Sequence, residues 1–367
     1  MLAHITSLKK NIVVAGSHGK TTTTSLIASI FAKAKLDPTI INGGVIKSLE
    51  NSAKLGKSEW SILESDESDG SFVKVPSTYA VVTNIDREHM DYYKSLDDLK
   101  RHFIKFMLKV PSFGKTFVCI DDKNNRDICK TSRIKNIITY GLNKNSNFRI
   151  RNISFQKNKS FFDIEMSLPN KRKSALKKFE IPLIGSHNIK NATAAIAVSY
   201  FIGISSTILR KSLKNFEGVE RRFNKVFVYK GADIYDDYAH HPTEIKEVIN
   251  GVKNSFKEKK IICLFQPHRV SRLNDLKKDF CSAFKKAETV ILCPIYKAGE
   301  NLSINLDYYK FANQIAKKSN VDVFIVKNQY EIAKFLKNHL KSKNIVIGMG
   351  AGSISNWIKQ LPELMKE

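Results

Sequence analysis

The chain has 367 residues, 42% hydrophobic and 26% charged, a composition typical of a globular protein long enough for two domains with separate cores. No apolar run approaches the roughly 20 residues of a membrane span, and Met1–Lys10 lacks the apolar stretch and small-residue cleavage site of an export signal. The net charge of +26 raises the question of nucleic acid, but the lysines are dispersed and no aromatic-basic module accompanies them, so nucleic-acid binding is not expected.

A positive field would still attract anionic small molecules such as nucleotides. The five cysteines, Cys119, Cys129, Cys263, Cys281 and Cys293, are scattered and never spaced C-x-x-C. That argues for unpaired thiols in a reducing cytoplasm, against a disulfide scaffold or zinc site.

The most informative segment is Asn11-Ile-Val-Val-Ala-Gly-Ser-His-Gly-Lys-Thr-Thr-Thr-Thr24. A β-branched strand runs into a turn with two glycines, then Lys20 and a run of hydroxyls that opens a helix. Such glycines let backbone N–H groups close around phosphate oxygens, Lys20 adds a compact positive charge, and Thr21 offers a hard oxygen to Mg²⁺. The usual G-x-x-x-x-G-K-[ST] spacing would put glycine where Val14 stands, so this is a shortened relative of that loop. Leu26, Ile27, Ile30, Phe31 and Ala34 predict an amphipathic helix behind it.

Apolar runs at Ile12–Ala15, Trp60–Leu63, Tyr79–Val82, Phe117–Ile120 and Asn136–Tyr140 alternate with helical stretches, which predicts a parallel sheet with covering helices. Phe148–Phe155 and Phe161–Leu168 alternate in polarity around a polar turn and predict an antiparallel hairpin. Lys171-Arg172-Lys173 with Lys177-Lys178 reads as a loop. Helices are expected at 187–203 and 205–215. A second β/α alternation follows, with strands near 226–229, 233–236, 260–265, 288–293, 321–326 and 344–348. The boundary is set at Glu217-Gly218, giving domains 1–217 and 218–367.

Further clusters stand at predicted strand C-termini, where open α/β sheets carry their chemistry. Glu64 ends a strand and is a candidate metal ligand, while the acidic residues after it, up to Gly70, can be a solvated loop. His89, after Thr83-Asn84-Ile85, is a candidate for metal or phosphate. Ser186 or Asn188, at a helix start, suits either an N-cap or base recognition. Arg269 and Arg272 follow a strand three residues apart and, on a helix start, share a face able to fork onto one carboxylate. Met349-Gly-Ala-Gly352 is explained by a tight strand-to-helix turn.

Together, Gly16–Thr24, Glu64–Phe72, Thr83-Asn84-Ile85 with His89-Met90-Asp91, His187-Asn188 with Asn191, Arg221-Arg222-Phe223, Asp236–Glu244 and Gln266-Pro267-His268-Arg269 with Arg272 resemble the Mur ligases, in order, from about residue 8 to the C-terminus. The resemblance implies a central P-loop-type ATP-binding α/β domain with a mostly parallel sheet and a Rossmann-like C-terminal α/β domain. It is nearest the branch that joins L-alanine to the carboxylate of UDP-N-acetylmuramate through an acyl phosphate, in peptidoglycan precursor synthesis. The implied cofactors are ATP and Mg²⁺, with Mn²⁺ as an alternative.

Carried over by motif, Gly16, Ser17, His18, Gly19, Lys20, Thr21 and Thr22 would hold ATP phosphates, Asn188 and Asn191 adenine, and Arg222 and Asp237 would reach ATP from the second domain. Thr21, Glu64 and His89 would serve the metal, and Tyr238, His240, Arg269 and Arg272 the acceptor amino acid. Lys20, His89 and His240 are the catalytic candidates. Nothing like the family's glycine-rich UDP-sugar domain precedes Asn11. The lysine that several members carbamylate has no secure counterpart in Lys100 or Lys105. A tripeptide-recycling ligase of the same family, and an ATP-binding remnant without full activity, are the alternative readings.

Overall fold

The computed structural model describes residues 6–131, 134–301 and 307–366, and the chain forms two compact units, Met1–Glu220 and Arg221–Glu367. The first unit runs past Glu217-Gly218 because Val219 bridges Ile46 and Glu220 N donates to Val45 O at 3.1 Å. The reading of Met1–Lys10 includes residues 1–5, which lie outside the described residues.

The first unit is built on a ten-stranded sheet in the order β10-β9-β8-β7-β6-β5-β1-β4-β2-β3. Its centre is β1 (Lys10–Ala15), parallel to β4 (Trp60–Glu64) on one side and to β5 (Tyr79–Val82) on the other. β6 (Lys115–Cys119) and β7 (Ile137–Gly141) extend the parallel run. Successive side chains of a strand face opposite ways, and β1 is apolar on both. Ile12 and Val14 join the core beneath helices α1 (Lys20–Lys33) and α4 (Ser186–Phe201), while Val13 and Ala15 join the core beneath α2 (Leu96–Leu108). This is the continuous apolar strand of a doubly covered parallel sheet.

Helix α1 departs from the amphipathic expectation. Thr21 to Ala28 are all buried, because α1 packs on the sheet and is itself covered by α4 and by α5 (Ser206–Lys214), with Ser29 Oγ 3.1 Å from Ser212 Oγ.

Three strands were not legible. β2 (Thr39–Ile46) contains Asn42-Gly43-Gly44, a turn signal by composition, yet its first half pairs in parallel with β4 and β3 (Asn51–Lys54) closes the edge. The expected hairpin, β8 (Phe148–Gln156) with β9 (Lys159–Met166), gains a third strand, β10 (Ser174–Ile181). Part of the basic cluster read as a loop therefore lies on an edge strand. Lys177 and Lys178 sit at a bulge between Leu176 and Phe179, and charge and irregularity on an edge discourage pairing with other chains.

The second unit is a six-stranded sheet in the order β11-β12-β16-β13-β14-β15. β12 (Ala232–Asp237), β16 (Asn344–Met349), β13 (Lys260–Phe265), β14 (Thr289–Leu292) and β15 (Asp322–Ile325) are parallel, and β11 (Asn224–Tyr229) is antiparallel at one edge. Both units are the α/β layers that the alternation predicts.

The antiparallel extension of the first unit is anchored where Phe148 meets Tyr200 and Phe201 of α4, with ring centroids 5.8 and 6.2 Å away. Phe148→Ala should cost about 3–5 kcal/mol, read as a lowered urea midpoint. A loss below about 1 kcal/mol would show that the extension does not depend on this anchor.

Candidate active site

The phosphate loop, Gly16–Gly19, connects β1 to α1. Gly16 and Gly19 have φ of 128° and 84°, a region that suits glycine. A Cβ at Gly16 would collide with Thr83 Oγ1, and one at Gly19 would lie 2.6 Å from Asn191 Oδ1. The residues after β5 clamp the loop. Asn84 Oδ1 accepts from His18 N at 2.9 Å while its Nδ2 donates to His18 O at 3.0 Å. Thr83 Oγ1 donates to His18 O at 2.7 Å, Asp86 N donates to Ser17 Oγ at 2.8 Å, and His18 Nε2 lies 3.0 Å from Asp86 Oδ2. Helix α1 has no side-chain cap, and Thr23 N bonds Gly19 O at 3.0 Å. The N–H groups at the start of α1 thus make the anion site a phosphate needs.

Lys20 lies 2.7 Å from Glu67 Oε2 and 3.3 Å from Asp66 Oδ1. Burial alone would push its ammonium pKa down, but Glu67, Asp66 and Glu64 outweigh that and hold it well above the ordinary value. Lys20 is therefore a fixed positive charge. Burial opposes ionisation of Asp66, and Lys20 reverses the balance, keeping that carboxyl below its usual range.

The acidic stretch is not simply a solvated loop. Glu67 is fully buried, and its Oε1 has no hydrogen-bond partner among the described residues. That oxygen is 3.8 Å from His89 Nε2, and ligand atoms of Asp66, Glu67 and His89 lie within 4.8 Å of one another. The Tyr93 hydroxyl donates to the Glu67 carbonyl. Glu64 is held elsewhere, with Oε1 accepting from Thr21 Oγ1 at 3.0 Å and Oε2 from Gly43 N at 2.7 Å. The two carboxylates and the imidazole of Asp66, Glu67 and His89, with one buried carboxylate oxygen unpartnered among the described residues, fit a divalent cation.

Asn188 and Asn191 lie within α4, whose N-cap is Gly185, so neither Ser186 nor Asn188 is the cap. Asn188 Nδ2 donates to Ile184 O at 2.8 Å, and Asn191 Nδ2 lies 3.3 Å from Asn188 Oδ1. Lys100 is 3.9 Å from Asp97 on its own helix, and Lys105 is exposed.

In the second unit the guanidinium groups of Arg221 and Arg222 lie 4.7 and 5.1 Å from the Tyr238 ring centroid. The Asp237 oxygens accept from Phe223 N and Ala239 N, each at 2.8 Å, so this carboxylate orders the turn after β12. An aromatic row starts there. Tyr238 meets His240 edge-on at 5.2 Å, His240 meets His268 at 5.8 Å, and His268 stacks on Tyr296 at 5.6 Å and 10°. Burial pushes the His240 pKa down to about 3 although Glu244 opposes it, and burial with Arg272 and Arg269 pushes His268 down to about 4. Both imidazoles are neutral at pH 7, and Arg272 Nη1 lies 3.1 Å from His268 Nδ1.

The arginine fork needs correction. Arg269 is the N-cap of helix α7 (Val270–Asp275) and has φ 67°, so it is not on a helical face shared with Arg272. The turn at Gly350-Ala351-Gly352 is a packing device. A Cβ on Gly350 would lie 2.8 Å from Gln266 O, and Gln266 Oε1 accepts from Ile354 N at 3.0 Å. Glu67, His268 and Tyr296 join the site only in the structure. Glu67 and His268 carry the signal of lying inside Glu64–Phe72 and Gln266-Pro-His-Arg269, whereas Tyr296 carries none.

Two stretches fit one family. Residues 14–199 match the Mur ligase middle domain and residues 221–352 the Mur ligase glutamate ligase domain. The chain belongs to the Mur ligases, which form amide bonds at the expense of ATP. It is 61% identical over 365 residues to the UDP-N-acetylmuramate–L-alanine ligase of Pelagibacter ubique, a match spanning 100% of this chain and 79% of that protein. The enzyme of that name from Bartonella henselae is 39% identical, over 99% of this chain and 76% of its own length. The crystal structure of the Thermotoga maritima UDP-N-acetylmuramate–alanine ligase superposes with a TM-score of 0.78 at 24% identity, covering 98% of this chain and 76% of that one. Among the described residues no helix is long and apolar enough to cross a membrane.

The histidines set a pH dependence. Their folded pKa values, about 3 and about 4, lie below the ordinary 6.5. The unfolded chain therefore takes up protons that the folded one does not, and the stability present above pH 6.5 is lost as pH falls toward 4. Urea unfolding at neutral pH and at about pH 5 should show a drop in stability that shrinks in His240→Gln/His268→Gln. An undiminished drop in that variant would place the titration elsewhere.

Proposed function

We propose that this chain ligates L-alanine to the carboxylate of UDP-N-acetylmuramate with ATP and Mg²⁺, through an acyl phosphate, in peptidoglycan precursor synthesis. The observation that carries this reading is the 61% identity to an enzyme of that name across the whole chain. The geometry supports it. The start of α1 and the fixed charge of Lys20 suit the β- and γ-phosphates, and Asn188 and Asn191 are the adenine candidates. Thr21, Glu64, Glu67 and His89 would hold Mg²⁺, or Mn²⁺ in its place. Bound there, the ion would offset charge on the transferring phosphoryl group.

In the second unit Tyr238, His240 and Arg272, with His268 added to the expected set, form a cluster of arginine and neutral rings, and Arg221 and Arg222 lie against Tyr238. Arg269 stands beside the cluster. A guanidinium suits the acceptor carboxylate, and a neutral imidazole avoids repelling the ammonium that must lose a proton before it attacks. Arg222 and Asp237 are assigned here to ATP, with Asp237 acting through the turn it orders. The reading supported is that the reaction runs in the cytoplasm, where ATP is available.

Lys20→Gln should abolish phosphate release while the circular dichroism spectrum stays unchanged. Normal ADP formation by that variant would sink the assignment. Arg272→Ala should raise the KM for alanine about tenfold to a hundredfold and leave the KM for ATP unchanged. Equal effects on both would mean that the arginine is structural.

A further inference from the structure

The loop that follows β14 carries a carboxylate that the ligase reading leaves unused. Glu300 lies thirty positions from the helix it touches. Its Oε2 accepts from Val270 N at 2.7 Å and from Ser271 N at 3.1 Å, and its Oε1 accepts from the Ser271 hydroxyl. These are the first two N–H groups of α7, whose own N-cap residue, Arg269, supplies no side-chain cap. An N-terminal helix turn leaves such donors unsatisfied and attracts negative charge. Glu300 answers both needs from a distant part of the chain.

The same loop grips the segment just ahead of α7. Tyr296 N donates to Pro267 O at 2.8 Å, Arg269 N donates to Tyr296 O at 2.9 Å, and the Tyr296 ring stacks on His268. Segment 267–271 is thus held by five hydrogen bonds and one ring stack from residues 296–300. Between the grips lies Arg269 at φ 67°, a conformation a residue with a Cβ adopts only at some cost and keeps only when its surroundings impose it. The bonds on either side of Arg269, to Tyr296 and to Glu300, supply that constraint.

We propose that Glu300 is a positioning residue for the acceptor amino acid. By capping α7 it fixes the left-handed turn at Arg269 and the direction from which Arg272 and His268 meet the acceptor carboxylate. This rests on the proposed function. Glu300 touches no reacting atom, so its loss acts through the arginines. A 1 Å error in a charge-assisted contact weakens binding of that substrate far more than binding of a nucleotide held elsewhere.

The test is steady-state phosphate release by the full chain and its Glu300→Ala and Glu300→Gln variants, varying alanine and ATP in turn. Glu300→Ala should raise the alanine KM about tenfold and leave the ATP KM unchanged. Glu300→Gln keeps one carbonyl acceptor for the helix N–H groups and should recover part of the loss. An unchanged alanine KM, or equal rises for both substrates, overturns the positioning role. Wild-type chain that shows ATP turnover independent of alanine would overturn the proposed function instead, a result distinguishable because it appears before any substitution is made.

Discussion

The first unit depends on one buried charge. Desolvating an ammonium or a carboxylate costs several kcal/mol per ion, and Lys20 and the fully buried Glu67 both carry that cost. Their attraction, about 4 kcal/mol at 4 Å for an effective dielectric near 20, offsets it only because the contact is short, at 2.7 Å, and Asp66 adds a second carboxylate. Such a pair contributes little net stability, and removing either partner strands the other. Its consequence is geometric. The ammonium is fixed beside the first turn of α1, and one buried Glu67 oxygen has no hydrogen-bond partner among the described residues. Around it the loop is already shaped, because Asn84 and Thr83 occupy the His18 peptide groups that a flexible loop would leave to water. A phosphate bound there, as proposed, would meet donors that need no reordering, which favours affinity.

The second unit poses a different problem. On the proposed reading, its row of rings meets a zwitterion whose ammonium must then lose a proton. Burial keeps His240 and His268 neutral, so the positive charge in the row belongs to arginine. The orientation of Arg272 toward His268 Nδ1 also fixes which imidazole nitrogen accepts, since a guanidinium can only donate.

What could be read beforehand divides along physical lines. The phosphate loop was legible because its parts are consecutive in sequence, so strand, glycines, Lys20 and Thr21 declare themselves together. The parallel strands were legible because burial on both faces leaves an unbroken apolar run, as in Ile12–Ala15. β2 was hidden because Asn42-Gly43-Gly44 reads as a turn, and only its partner strand makes it extended. Glu67 was hidden because nothing local distinguishes a buried acid from Asp66 or Asp69 beside it. Its burial is decided by Lys20, forty-seven positions away. Arg269 was misplaced because a left-handed N-cap is imposed by tertiary bonds to Tyr296 and Glu300, which periodicity does not encode.

One pattern joins these cases. In a chain of net charge +26 the acids are outnumbered, and several of those at the two candidate sites bond protein amides or hydroxyls. Glu64 accepts from Gly43 and Thr21, Asp237 from the amides of Phe223 ahead of β11 and Ala239 after β12, and Glu300 from the first amides of α7. A carboxylate accepts without donating, so it suits turns and helix starts whose N–H groups would otherwise be unsatisfied. The carboxylates around Lys20 serve a different chemistry. A single ammonium buried at a phosphate site would lose its proton to desolvation without a counter-charge, whereas a guanidinium stays protonated unaided.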